Sequence, residues 1–112
     1  MDCIFCKIVK GEIPSKKVYE DEHVVAFHDI NPIAPVHILT IPKKHISSLM
    51  AIEPEDKELI GHIHLGLQNV AKEMGVAESG FRVITNIGTH GQQTVFHIHY
   101  HLIGGRQLEW KA

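Results

Sequence analysis

The chain has 112 residues, 44% of them hydrophobic, with 11 lysines and arginines against 13 acidic residues and a formal charge of −2. That length suits a single domain over residues 1–112 with a modest core, and the charge balance carries no footprint for duplex nucleic acid. No apolar run reaches membrane-spanning length and Asp2 and Cys3 follow Met1 in place of a signal peptide, so no membrane partner and a cytoplasmic location are expected.

Cys3 to Lys10 sets Ile4, Phe5, Ile8 and Val9 at helical spacing, which predicts a short helix stopped by Gly11 and Pro14. Cys3-x-x-Cys6 has the spacing of zinc ligands but makes only half a site. In a cytoplasmic chain such a pair is a pair of thiols or metal ligands rather than a disulfide. Val18-Tyr19-Glu20 reads as a brief strand and Asp21-Glu22 as a turn. His23 to His28 reads as a strand that Asp29-Ile30-Asn31-Pro32 closes. Pro32 and Pro35 bracket a rigid loop. His37 to Ile41 is a third strand, ended by Pro42, and Lys43-Lys44-His45 is a basic turn.

Pro54 suits the first turn of a helix. From there Leu59, Ile60, Ile63, Leu67, Val70, Ala71 and Met74 recur at three- and four-residue steps, the buried stripe of an amphipathic helix. Gly75 is its stop. His62 and His64 flank the stripe and read as solvated surface histidines. Phe81 to Asn86 is a fourth strand. The polar loop from Asn86 to Thr94 holds Gly88 and Gly91, and its backbone N–H groups are suited to cradling an anion.

The stretch His97-Ile98-His99-Tyr100-His101-Leu102-Ile103 draws on a chain unusually rich in histidine, with 10 copies. Its alternation predicts a fifth strand, ended by Gly104-Gly105. Side chains two apart on a strand share a face, so His97, His99 and His101 form a row while Ile98, Tyr100 and Leu102 point the other way. The row admits three uses: solvent-exposed histidines, a partly metal-bound row, or chemistry on a charged substrate. One zinc cannot take all three rings, because the outer backbones lie about 13 Å apart at roughly 3.3 Å per residue. Imidazole serves as nucleophile, proton carrier or cationic clamp near neutral pH. The order of elements predicts an α+β domain, an antiparallel five-stranded sheet with helices on one face. Trp110, the only tryptophan, is expected on a partner subunit, over the site, or on its own domain.

The triad stretch is similar to the signature of the histidine triad nucleotide-binding family. Phe27-His28-Asp29-Ile30, Ala34-Pro35, Pro42-Lys43-Lys44-His45-Ile46-Ser47 and Gly104-Gly105-Arg106-Gln107 resemble its nucleoside phosphoramidase branch, and the likeness runs from Cys3 to Trp110. It implies a sheet continued across a two-fold homodimer. It also implies cleavage of adenosine or guanosine phosphoramidates and aminoacyl adenylates, with AMP or GMP as product. By the same resemblance His99 is the nucleophile, and His101 and His37 contact the phosphate oxygens. Asp29 holds the ribose hydroxyls. Asn86 and Gln93 lie near the phosphate and leaving group, and Phe5, Ile8, Ile30 and His28 line the base and ribose pocket. A hydroxyl relay through Thr94 suits the departing amine, and the chemistry requires no metal cofactor. The family often has serine at the position of Thr94 and glycine at that of Gln92. Some relatives complete the cysteine pair with two histidines, which match His45 and His97. A structural zinc and a pair of ordinary thiols both remain open. Dinucleoside polyphosphate hydrolysis and nucleotide binding without turnover are the alternative functions.

Overall fold

The computed structural model describes residues 3–111. Helix α1 spans Ile4–Val9. Strands β1 (Lys17–Glu20), β2 (Val24–His28) and β3 (Val36–Pro42) follow, then helix α2 (Lys57–Glu73) and strands β4 (Phe81–Ile84) and β5 (Tyr100–Gly104). The five strands make one sheet in the order β1-β2-β3-β5-β4, and every neighbouring pair is antiparallel. Among the described residues no helix is long and apolar enough to cross a membrane.

Period-two alternation sorts the sheet into two faces. On one side Val24, Ala26, Val36, Ile38, Ile98, Tyr100 and Leu102 pack with Ile63, Leu67, Val70 and Ala71 of α2. Gly66 lets the helix come close, since a Cβ there would stand 3.3 Å from Val24 Cγ2. Short 3₁₀ turns at Leu49–Ala51 and Pro54–Asp56 lead into α2, and Gly75, at φ +73°, ends it. Asp21 ties α2 to the β1–β2 turn. Its Oδ1 accepts from the His23 and Val24 amides (2.8 and 3.0 Å), and its Oδ2 from Tyr19 Oη and His62 Nε2 (2.7 and 2.8 Å). His62 is therefore a fastening group, not a free surface histidine. His64 is exposed.

The opposite face carries Val25, Phe27, Leu39 and Ile41. The sequence predicted helices on one face only. Helix α2 does cover one face, but α1 lies on the other, because Phe5 and Ile8 are complementary to this second apolar surface. Cys3 is the N-cap of α1, its Sγ accepting from the Cys6 amide at 3.3 Å.

The fifth strand is shorter than its alternation predicted. Its hydrogen-bonded part starts at Tyr100, opposite Thr40, although β3 itself runs on to Pro42. The Ile98 amide turns to the carbonyl of Ile46 instead. The alternation of side chains nevertheless persists through His97. Trp110 is 94% exposed, so it does not pack on its own domain.

Candidate functional site

The alternation that buries Ile98, Tyr100 and Leu102 under α2 turns His97, His99 and His101 toward α1. The Phe5 ring lies edge-on to both His97 and His99, at centroid distances of 5.9 and 5.1 Å. His99 and His101 are 5.2 Å apart, centroid to centroid. His37 comes from β3, where it pairs with Ile103, and its Nε2 lies 2.9 Å from His101 Nδ1. Beside these rings opens a cleft of about 940 Å³. Its walls include Phe5, Ile8, His28, Asp29, Ile30, Thr94, His99 and His101, all singled out from the sequence. Ile4, Ile13, Ser15, Lys16, Phe27, Leu39 and Val95 also line it.

Backbone groups fix the proton on His99 and His37, and His37 in turn fixes it on His101. His99 Nδ1 is 2.8 Å from the His97 carbonyl. A carbonyl only accepts, so Nδ1 carries a proton, and in the neutral ring Nε2 is the nitrogen with the lone pair. His37 Nδ1 accepts from the Ile33 amide at 3.2 Å, which puts its proton on Nε2. His37 Nε2 donates that proton to His101 Nδ1 and lies 3.4 Å from Asp29 Oδ2. His101 then carries its own proton on Nε2. Burial lowers the pKa of His37, opposed by the charge of Asp29. Burial, with repulsion from His99 and His37, lowers His101 to about 4. Both rings are thus neutral near pH 7, able to donate without carrying a charge.

The loop before the triad is stapled internally. Gln93 donates from Nε2 to the carbonyls of Ser47 and Val95 (2.7 and 3.0 Å) and accepts the Gly88 amide at Oε1 (3.1 Å). Asn86 donates to the Gly91 carbonyl at 2.7 Å. Neither side chain lines the cleft; both shape the loop from which Thr94 reaches it. Gly91 is packed tightly, since a Cβ there would fall 2.3 Å from the Ile87 carbonyl oxygen. Gln92 holds φ +64°, a left-handed conformation that glycine adopts more easily.

Cys3, Cys6, His45 and His97 converge beside this site. His97 Nδ1 stands 3.4 Å from Cys3 Sγ, 3.6 Å from Cys6 Sγ and 3.2 Å from His45 Nδ1, and Cys6 Sγ is 3.3 Å from His45 Nδ1. Bonds of about 2.0–2.3 Å put the donors of a tetrahedral zinc about 3.3–3.8 Å apart. The four residues fit that ion. His97 Nε2 donates to the Pro42 carbonyl at 2.8 Å, leaving Nδ1 with its lone pair toward the cluster. Burial chiefly, and then Cys3, push the Cys6 thiol up; a divalent cation is the group that would hold both sulfurs as thiolates.

Apart from Lys16, the pocket residues not foreseen from sequence are apolar or small, and only their packing reveals them. Leu39 and Val95 lie on segments whose pattern signalled core alone. Ile13, Ser15 and Lys16 lie in a connection without a motif.

An antiparallel sheet with alternating imidazoles at its site defines a histidine triad protein. Residues 2–110 match the family model described as "Scavenger mRNA decapping enzyme C-term binding". An uncharacterized HIT-like protein of Synechocystis is 49% identical over 97% of this chain and 95% of its own. A 14 kDa zinc-binding protein of Zea mays is 51% identical over 96% of this chain and 84% of its own. A histidine triad protein from Clostridium difficile superposes with a TM-score of 0.96 at 53% identity, covering 100% of this chain and 97% of that one. A HIT family hydrolase from Legionella pneumophila gives 0.95 at 46% identity, with 97% of each chain covered. The chain belongs to the histidine triad (HIT) family.

Proposed function

We propose that this single histidine triad domain is a cytoplasmic purine nucleoside phosphoramidase. It hydrolyses adenosine or guanosine phosphoramidates and aminoacyl adenylates. The observation that carries this proposal is the bond between His99 Nδ1 and the His97 carbonyl, which makes Nε2 the lone-pair nitrogen of the neutral ring, on a side chain lining the cleft. The resemblance to HIT family hydrolases supports the same class of reaction.

In the first step His99 Nε2 attacks the α-phosphorus. A P–N bond to His99 forms as the bond from phosphorus to the leaving group breaks. The amine of a phosphoramidate departs with a proton that solvent supplies through the Thr94 hydroxyl, and the carboxylate of an aminoacyl adenylate departs, as its P–O bond breaks, without one. The His101 Nε2 proton faces the non-bridging oxygens, where charge develops. The His37 and Asp29 chain behind His101 holds that proton in place. Water then displaces His99 from phosphorus and releases AMP or GMP. Asp29, on the cleft wall, binds the ribose hydroxyls. Phe5, Ile8, His28 and Ile30 enclose the base and sugar, and Asn86 and Gln93 act by holding the loop. Cys3, Cys6, His45 and His97 would hold a structural zinc that ties α1 to the sheet, and the chemistry itself needs no metal. The exposed edge of β4, with Phe81 and Val83 each 39% exposed, suits pairing with a second copy in a homodimer.

A panel of adenosine and guanosine phosphoramidates, aminoacyl adenylates and dinucleoside polyphosphates tests the assignment. Turnover of the first two groups, abolished in His99→Ala, is expected. Faster turnover of dinucleoside polyphosphates, or AMP binding without any turnover, contradicts it. A monomer by sedimentation at micromolar concentration contradicts the dimer.

A further inference from the structure

Asp29, His37 and His101 meet on the cleft wall, apart from the cysteine cluster. They come from three segments: the end of β2, strand β3 and strand β5. His37 Nε2 lies 2.9 Å from His101 Nδ1 and 3.4 Å from Asp29 Oδ2. One donor atom from each residue lies within 4.8 Å of the other two. Metal bonds of about 2.0–2.2 Å set neighbouring donors about 2.9–3.5 Å apart. Two imidazoles and a carboxylate on one side of an ion leave its other positions open, an arrangement that divalent transition metals accept. Asp29 and His101 both line the cleft, so the open positions face it.

We propose that Asp29, His37 and His101 form a second, labile site for a divalent transition-metal cation, separate from the Cys3, Cys6, His45, His97 cluster. Binding moves one proton and releases none. His37 now carries its proton on Nε2; to give that lone pair to the ion, it takes the proton at Nδ1 and loses the 3.2 Å bond from the Ile33 amide. That loss, and the lack of thiolates, make this site weaker than the cysteine cluster. In the function proposed above Asp29 holds the ribose hydroxyls, so an ion that takes Asp29 competes with the sugar of the nucleotide. Competition between cation and nucleotide rests on that assignment; binding of the cation does not.

Cobalt(II) separates the two sites, because thiolate ligands give a sulfur-to-metal charge-transfer band and a histidine–carboxylate site gives none. Protein first saturated with zinc is dialysed against cobalt(II), without nucleotide. A further equivalent of cobalt is expected, with a ligand-field spectrum and no thiolate band. In zinc-loaded Asp29→Asn and His101→Gln its affinity should fall about 10- to 100-fold. No uptake by the zinc-loaded native protein at millimolar cobalt(II) overturns the proposal. So does uptake that both variants retain. The native-protein measurement decides the matter even if a variant fails to fold, and an absence of nucleotide turnover leaves it standing.

Discussion

Removing metal from the Cys3, Cys6, His45, His97 cluster should loosen the wall of the cleft. Helix α1 has six residues, well below the roughly 12–15 at which an isolated helix becomes even marginal in water. Its apolar grip is Phe5 and Ile8, each 6% exposed. Two such side chains contribute about 3–6 kcal/mol. Ordering Cys3 to Lys10 costs about 8 kcal/mol even at the low end of roughly 1 kcal/mol per residue. The deficit of a few kcal/mol matches what a bound ion supplies, about 4 kcal/mol when free metal stands about 1,000-fold above its Kd. Chelation should therefore lower the Tm by about 10–20 °C. Calorimetry with zinc or with excess chelator measures the shift, and hydrogen exchange at Ile4–Val9 locates it. Equal melting temperatures within about 2 °C, with α1 equally protected in both samples, would refute the reasoning.

Asp21→Ala removes the acceptor of four hydrogen bonds that join β1, the β1–β2 turn and α2. It should destabilise the fold by about 2–3 kcal/mol in urea unfolding; a change below about 0.5 kcal/mol contradicts the fastening role. Burial pushes the Asp21 carboxyl up, but bonds from the His23 amide, Tyr19, the Val24 amide and His62 outweigh it and hold the group well below the usual carboxylate range. Its contribution is present above the unfolded pKa, about 3.9, and is lost as pH falls further. His101, depressed to about 4, stabilises fully above its unfolded pKa of about 6.5, and that contribution is lost as pH falls toward its folded value. The full shift corresponds to about 3–4 kcal/mol, and solvent screening of this half-buried ring reduces the loss to about 2–3 kcal/mol. Urea unfolding with chelator present should show this slope, flattened in His101→Gln; an unchanged slope counts against it. Gln92→Gly relieves a left-handed residue at φ +64°. About 1–2 kcal/mol of strain, less about 0.5–1 kcal/mol for the freer unfolded chain, leaves a small net gain in stability. A variant less stable than the parent contradicts this.

Much of the site was legible because period-two alternation needs no tertiary information. His97, His99 and His101 share a face whether or not the strand is hydrogen-bonded, and Ile98, Tyr100 and Leu102 named the face that α2 covers. His37 was placed at the site by the family resemblance, not by the period of β3. The need for a backbone acceptor at the nucleophile was also predictable, but the particular carbonyl, that of His97, emerges only from the bend before Tyr100. Three features required coordinates. The side of the sheet taken by α1 depends on how Phe5 and Ile8 match Val25, Phe27, Leu39 and Ile41. The loop roles of Asn86 and Gln93 depend on carbonyls as distant in sequence as Ser47. The Asp29, His37, His101 convergence joins three segments that carry no common motif.

The most direct measurement asks which side chain, if any, bonds to phosphorus. Purified protein is mixed with an adenosine phosphoramidate, quenched within one turnover and digested for mass spectrometry. The account predicts an adenylyl group on the peptide carrying His99, on that ring and no other, and neither adduct nor turnover in His99→Ala. Turnover at the native rate in that variant, or an adduct on a different residue, would contradict it.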